Sequence, residues 1–302
     1  MILGLDNGYH YTKTSTGVMF PSTVSKGKDI DINADTIQAN INGTDYIVGA
    51  QDGVYVADNN KIDSIVTEIC TFTAIAKSFS DVKTIDCNIV AGLPVAYYSK
   101  QKKDFKSKLL NYGSKEVIIR NKSFKINIPD VEIYPQSAGV VFMHSTDIKK
   151  DDSLVIDIGG GTVDVSAFHG LRLTNMATYN LGMLTLYSKL AQKLDSDYEC
   201  NYMYYHMYDI LKKRYITTNK FGRVDLKVLD EEIDKHVNAI LSNIKRDFNY
   251  STMDNLFVIG GGGIELYDRL KRELKNAVLC DNAQFINANA FELMGKMSFA
   301  SK

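Results

Sequence analysis

The sequence predicts an α/β fold built as two related lobes, and three observations carry that prediction. β-type apolar runs alternate with helix-period segments along the 302 residues. Two stretches about half the chain apart, "ILGLDNGYHYTKTS" and "LVIDIGGGTVDVSAF", share one plan: apolar strand, Asp-x-Gly, turn, β-rich return strand. Three glycine-bearing turns, at Gly8, at Gly159 to Gly161 and at Gly260 to Gly263, each follow a strand. Equivalent hairpins from the two lobes would face one cleft.

The totals narrow the class. With 45% hydrophobic and 24% charged residues, a sizeable core is available. A net charge of -1 leaves no electrostatic footprint for nucleic acid or an anionic membrane, so direct binding to either is not expected. Cys70, Cys87, Cys200 and Cys280 lie far apart without a CxxC pair. They read as reduced, mostly buried thiols of a cytoplasmic protein, not as a disulfide frame or zinc site. No apolar run reaches membrane-spanning length, and Asp6 comes too early for a signal peptide.

Taken in order, "MILGLD", "NG" and "YHYTKTS" predict a strand, a turn and a strand. Residues 20–60 are polar and predict a small, sheet-poor inserted subdomain. Ile62, Ile65, Val66, Ile69, Phe72 and Ile75 have helical spacing. "TIDCNIVAGLP" predicts a buried strand, "SKQKKDFKSKLL" a basic amphipathic helix, and "KEVIIRNKSFKINIPDVEIYP" one or two strands. The second lobe opens with "DDSLVIDIGGG". Its helix "LDEEIDKHVNAILSNIKRDF" places Leu229, Ile233, Val237, Ile240, Leu241, Ile244 and Phe248 on one face. Residues 195–228 predict a second inserted subdomain, and "NLFVIGGGGIELYDRLKREL" a strand, a glycine turn and a helix. The division is residues 1–150 with 286–302 for the first lobe and 151–285 for the second.

The chemistry lies in the turns. Backbones without Cβ atoms let N–H groups converge on an anion, and a helix after the third turn adds partial positive charge. Asp6 and Asp157, facing each other across a cleft, suit Mg²⁺, which takes oxygen ligands and keeps several waters. Asp157 otherwise serves only to initiate its turn. Lys13, on the first return strand, can send its ammonium into the same cleft. No GxxxxGK[ST] or GxGxxG pattern is present, which argues against P-loop and dinucleotide folds. None of the histidines has metal spacing, and "KGKDIDINAD" lacks the calcium-loop ligand pattern.

In this order the motifs resemble the actin-like ATPase superfamily, and most of all the bacterial plasmid-segregation actins of the ParM/StbA family. "LDNGYHYTK" resembles their first phosphate loop, "IVAGLPVAYYSKQKKDFKSKL" the segment with its basic helix, and "VEIYPQSAGVVF" the first connector. "VIDIGGGTVDVS" is similar to the second phosphate loop, "FVIGGGGIEL" to the adenosine motif, and "NANAFELMGKM" to the second connector. The resemblance implies an actin-like fold, a duplicated ribonuclease H-like architecture with a nucleotide cleft between lobes. It further implies ATP or GTP with Mg²⁺, slow hydrolysis coupled to polymerisation into filaments, and a small DNA-binding adaptor joining filament to plasmid.

Residue by residue, it assigns phosphate contacts to Asn7, Gly8, Lys13, Gly159, Gly160, Gly161 and Thr162, with Asp6 and Asp157 holding Mg²⁺ through water. Nucleoside contacts fall to Gly182, Lys212, Gly260, Gly261, Gly262, Gly263 and Ile264. Lys212 otherwise belongs to a solvated basic face, and Gly182 otherwise ends a strand. The family usually has Glu after the connector proline, whereas this chain has Gln136. An amide cannot take a proton as a base, but it can orient the attacking water. The alternative for Gln136 is a surface loop residue. A small-molecule kinase on the same fold is the competing function, although no convincing substrate-side carboxylate base stands out. The aromatic run "NYMYYHMY" reads as packing inside the second insertion or as a filament contact.

Overall fold

The computed structural model describes residues 1–28, 36–50, 54–55, 64–143 and 150–300. Ile62, His144 and most of "KGKDIDINAD" lie outside the described residues. The first half of the chain runs β1 (Ile2–Asn7), β2 (Tyr11–Thr14), β3 (Met19–Pro21), β4 (Thr23–Lys26), β5 (Ile37–Ile41), β6 (Thr44–Val48), β7 (Val54–Tyr55), α1 (Ile65–Ser78), β8 (Thr84–Asp86), β9 (Asn88–Leu93), α2 (Val95–Asn111), β10 (Lys115–Ile119), β11 (Lys122–Asn127), β12 (Val131–Pro135) and α3 (Ala138–Met143). The second half runs β13 (Asp152–Ile158), β14 (Val163–His169), β15 (Arg172–Tyr179), α4 (Met183–Tyr198), α5 (Met207–Lys213), β16 (Tyr215–Thr218), β17 (Gly222–Asp225), α6 (Asp230–Asp247), β18 (Asn255–Ile259), α7 (Gly261–Glu273), β19 (Ala277–Leu279) and α8 (Ile286–Ala300).

The two "Asp-x-Gly" stretches head one topology used twice. One five-stranded sheet has the order β12-β9-β1-β2-β3, the other β19-β18-β13-β14-β15. In each, the leading strand pairs antiparallel with its return strand and parallel with the strand on its other side. β1 and β13 are central strands covered on both faces, which is why their sequences read as near-continuous apolar runs. Each sheet anchors its own hydrophobic core. A third, smaller cluster joins them: Ala138, Val140 and Val141 of α3 pack with Val155, Phe257, Ile259 and Ile286.

Residues 20–60 are not sheet-poor. Their described strands, β4 to β7, join β10, β11 and β8 in a seven-stranded sheet of order β7-β4-β6-β5-β10-β11-β8. The polar composition misleads here because β4, β5 and β6 are short and only partly buried; β5 alternates in full. α1 lies between this sheet and the β1–β2 hairpin, touching β1, β2, β4, β10 and β11. It is therefore buried nearly all round, including Thr67, Thr71 and Thr73, and only its first residue, Ile65, is exposed. Ser64 caps α1 by accepting the Val66 N–H at 3.2 Å.

α6 buries Val237, Ile240, Leu241 and Ile244 along one stripe. Asp230, Glu231 and Glu232 occupy its first turn and Lys245 and Arg246 its last, complementing the helix dipole. The 195–228 segment folds as α5 and the β16–β17 hairpin, and α8 returns to lie on β1 and β9. The free thiols of Cys70, Cys87 and Cys280 are buried. Among the described residues no helix is long and apolar enough to cross a membrane.

Candidate functional site

Asp6 and Asp157 stand near the ends of β1 and β13 and line one cleft, a space of about 760 Å³ counting its open mouth. Each is almost fully buried and each takes a hydrogen bond from an amide of a distant segment. Gln136 Nε2 donates to Asp6 Oδ1 at 3.1 Å, and Asn287 Nδ2 donates to Asp157 Oδ2 at 2.7 Å. Gln136 follows β12 directly, while Asn287 lies one residue into α8, after β19. The second connector is thus the structural counterpart of the first.

The return strands complete the electrostatics. Lys13 pairs with Asp6 across the first hairpin, its Nζ 3.5 Å from Asp6 Oδ2. Across the second hairpin Asp157 faces Asp164, whose carboxylate accepts from Thr162 Oγ1 at 2.9 Å and Thr178 Oγ1 at 2.6 Å. Burial pushes the Asp157 carboxyl up to about 7, with Asp164 adding to the rise, the Asn287 hydrogen bond opposing it, Asp6 raising it further and Lys13 lowering it.

Lys13 is the only Lys or Arg among the described residues lining the cleft, against Asp6, Asp157, Asp164 and Glu265. That excess of negative charge fits a divalent cation. Among the described residues no three His, Cys, Asp or Glu side chains gather as a direct ligand set. Asp6 and Asp157, each with a carboxylate oxygen already held by an amide, would contact such an ion through water, the habit of Mg²⁺.

The glycine turns divide their work. Gly8 N–H closes its own turn onto Asp6 and Tyr11 carbonyls, each at 3.0 Å, and Gly159 N–H closes onto Thr162 at 2.9 Å. The carbonyls of Gly159, Gly160 and Gly161 accept the Met183, Leu184 and Gly182 N–H groups at the start of α4. A Cβ on Gly161 would lie 2.8 Å from the Tyr9 ring, and one on Gly160 would meet His10. Their bareness lets the tip of the first hairpin pack into the second loop. Gly261 to Gly263 do not precede the helix but form the first turn of α7, where N–H groups lack intrahelical partners. Gly261 and Gly262 bring that positive helix end to the cleft wall.

The N-terminal domain model of actin-like proteins matches residues 4–139, and the C-terminal model of the archaeal MreB-like actin homologue matches residues 155–272. The chain belongs to the actin-like proteins. Among solved structures, a 15-stranded ParM filament from Clostridium botulinum matches with a TM-score of 0.83 at 22% identity, covering 98% of this chain and 99% of that one. An archaeal actin homologue in complex with ADP matches with a TM-score of 0.81 at 19% identity, covering 98% and 99%. The Alp12 filament structure matches with a TM-score of 0.68 at 18% identity, covering 99% and 98%. No curated protein matches the sequence. The fold is the two-lobe actin-like one.

In this actin-like protein Gly8, Lys13, Gln136, Gly159, Gly160, Gly161, Thr162, Gly261 and Gly262 line the cleft with the two aspartates. Several residues assigned to the nucleotide from the sequence are absent from the described lining. Asn7 turns its amide away, donating to Thr71 Oγ1 at 3.0 Å inside the first lobe. Gly182 lies behind the second loop, where a Cβ would strike the Gly160 carbonyl. Gly260, at φ +84°, and Gly263 pack on strand residues, and Ile264 is exposed. Lys212 sits with its Nζ 3.8 Å from the centre of the Tyr208 ring, and it is Tyr208 that reaches the cleft.

Conversely, Tyr9, His10, Asp164, Tyr187, Glu265 and Asn287 line the cleft without having been singled out. Burial and then Lys13 push the His10 imidazole down to about 4, so it is neutral near pH 7. Two of these were readable. Asp164 follows Asp157 at the spacing by which Lys13 follows Asp6, and Asn287 opens the segment that resembles the second connector.

Proposed function

We propose that this chain binds ATP or GTP with Mg²⁺ between its lobes, hydrolyses it slowly, and assembles into filaments that segregate plasmids. The supporting observation is the pair of buried carboxylates, one from each lobe, lining a single cleft walled by two glycine loops and a helix N-terminus. Asp6 and Asp157 would hold the hydrated cation, which when bound neutralises phosphate charge. Lys13 offsets further charge on the phosphates. Gln136, its Nε2 committed to Asp6, keeps its carbonyl oxygen to accept a hydrogen from the attacking water. It orients that water for in-line attack and does not deprotonate it.

Hydrolysis then acts as a timer on a head-to-tail contact that does not close, the geometry that produces filaments. Filaments of ParM and Alp12 share this fold, which supports the assembly reading. With a net charge of -1, grip on DNA falls to a small DNA-binding adaptor, and the buried free thiols suit the cytoplasm. Phosphoryl transfer to a small molecule is not favoured, since both matching domain models are of actin-like proteins. Light scattering and pelleting with Mg²⁺ and ATP or GTP, against ADP, test the proposal. Triphosphate-dependent pelleting is expected; a protein that stays in the supernatant with every nucleotide contradicts it.

A further inference from the structure

Asn287 is placed to act on both lobes at once. It belongs to α8, which lies on β1 and β9 of the first lobe, yet its Nδ2 donates to Asp157 Oδ2 of the second lobe at 2.7 Å. The Oδ1 of the same amide accepts the Ser137 N–H at 3.1 Å. Ser137 holds φ +65°, a conformation uncommon outside glycine, and immediately follows Gln136, whose amide reaches Asp6. All these groups are buried. The result is one continuous path: Asp157, Asn287, the Ser137 backbone, Gln136, Asp6. An amide suits the junction because it donates to a carboxylate from one end while accepting an N–H at the other.

We propose that Asn287 is a positioning residue for the cleft cation: it orients the Asp157 carboxylate and ties that orientation, through Ser137, to Gln136. This rests on the nucleotide reading above. Removing the hydrogen-bond partner of a directly ligating carboxylate usually costs about 10–100-fold in metal affinity, and for a carboxylate that holds the ion through water the lower end of that range applies. A purely structural role would be different in kind. The Ser137 and Ser166 hydroxyls also meet across the joint, at 2.7 Å, without touching either aspartate, so Ser166→Ala loosens the same region and spares the carboxylates.

The test is an equilibrium Mn²⁺ titration with ADP present, read by electron paramagnetic resonance, on wild type, Asn287→Ala, Asn287→Ser and Ser166→Ala. Asn287→Ala is expected to weaken Mn²⁺ binding about tenfold or more. Asn287→Ser, which restores a hydroxyl donor, recovers part of the loss, and Ser166→Ala stays within about twofold of wild type. In turnover, Asn287→Ala should raise the Mg²⁺ half-saturation while largely keeping kcat at saturating Mg²⁺. If Asn287→Ala does not fold, Asn287→Ser alone decides, with weakened Mn²⁺ binding expected. Unchanged Mn²⁺ affinity in the Asn287 variants that fold, or equal weakening in Ser166→Ala, overturns the assignment. A wild-type protein that binds neither ADP nor Mn²⁺ overturns the nucleotide reading itself, which is a distinct result.

Discussion

Asp164 stands opposite Asp157 on the second hairpin, in the place that Lys13 holds opposite Asp6 on the first. The two hairpins share the aspartate and carry opposite charges beside it. The carboxylate of the first lobe therefore has an ammonium 3.5 Å away, while that of the second lobe faces another carboxylate. A cation in the cleft would offset charge chiefly on the second side.

The first consequence concerns pH. Asp157, raised from 3.8 to about 7, holds a proton in the folded chain where the unfolded chain has released it. Its contribution to stability therefore falls as pH rises from about 4 to about 7. His10, lowered from 6.5 to about 4, has the opposite slope over about 4 to 6.5. Comparing wild type with Asp157→Asn, without nucleotide, isolates the carboxylate. The Tm advantage of the variant should grow from about pH 5 to about pH 7.5; a constant offset would count against the shift.

Lys13 is predicted to serve the phosphates. Lys13→Met should weaken triphosphate binding about tenfold, equivalent to about 1.4 kcal/mol. Nucleoside binding should be unaffected. Fluorescent-nucleotide titration of both ligands checks this, and equal losses for the two would place the ammonium elsewhere.

Gln136 is predicted to act on the reaction more than on binding. Gln136→Ala should lower steady-state phosphate release about 100-fold, the usual cost of misplacing a reacting group, while nucleotide affinity changes little. Unchanged phosphate release would remove Gln136 from the reaction.

Gly260 separates two backbone effects. Gly260 and Gly43 both hold positive φ, +84° and +82°, but only a Cβ on Gly260 would collide, lying 2.6 Å from Asp157 Oδ1 and 2.9 Å from the Ile158 carbonyl carbon. Gly43→Ala should cost about 1–2 kcal/mol from conformation alone. Gly260→Ala should cost about 3 kcal/mol or more. Denaturant unfolding of the two variants measures the difference, and similar costs would show that the strand end yields.

Much of this molecule is legible in sequence because its central elements obey strong local patterns. The apolar runs ending at Asp6 and Asp157, the stripe of α6 and the order of the motifs all point to duplicated lobes around one cleft. The 20–60 segment is harder to read, because short half-buried strands of polar composition resemble loops until the strand that continues their sheet, β10, is known. The direction of the Asn7 amide is not legible, because a residue beside a glycine turn can face the cleft or the core, and only the position of Thr71 decides. The course of Lys212 is hidden for a related reason: a long side chain carries its charge to whatever surface its stem crosses, here the Tyr208 ring. Tyr9 and His10 gave no signal, since their role depends on glycines in the other lobe.

The most direct measurement is a calorimetric titration of ATP and GTP into wild type and Asp157→Asn, each with and without Mg²⁺. The account predicts that Mg²⁺ strengthens wild-type binding and that this gain disappears in Asp157→Asn. Binding that is indifferent to Mg²⁺, or a gain that survives the substitution intact, would contradict it.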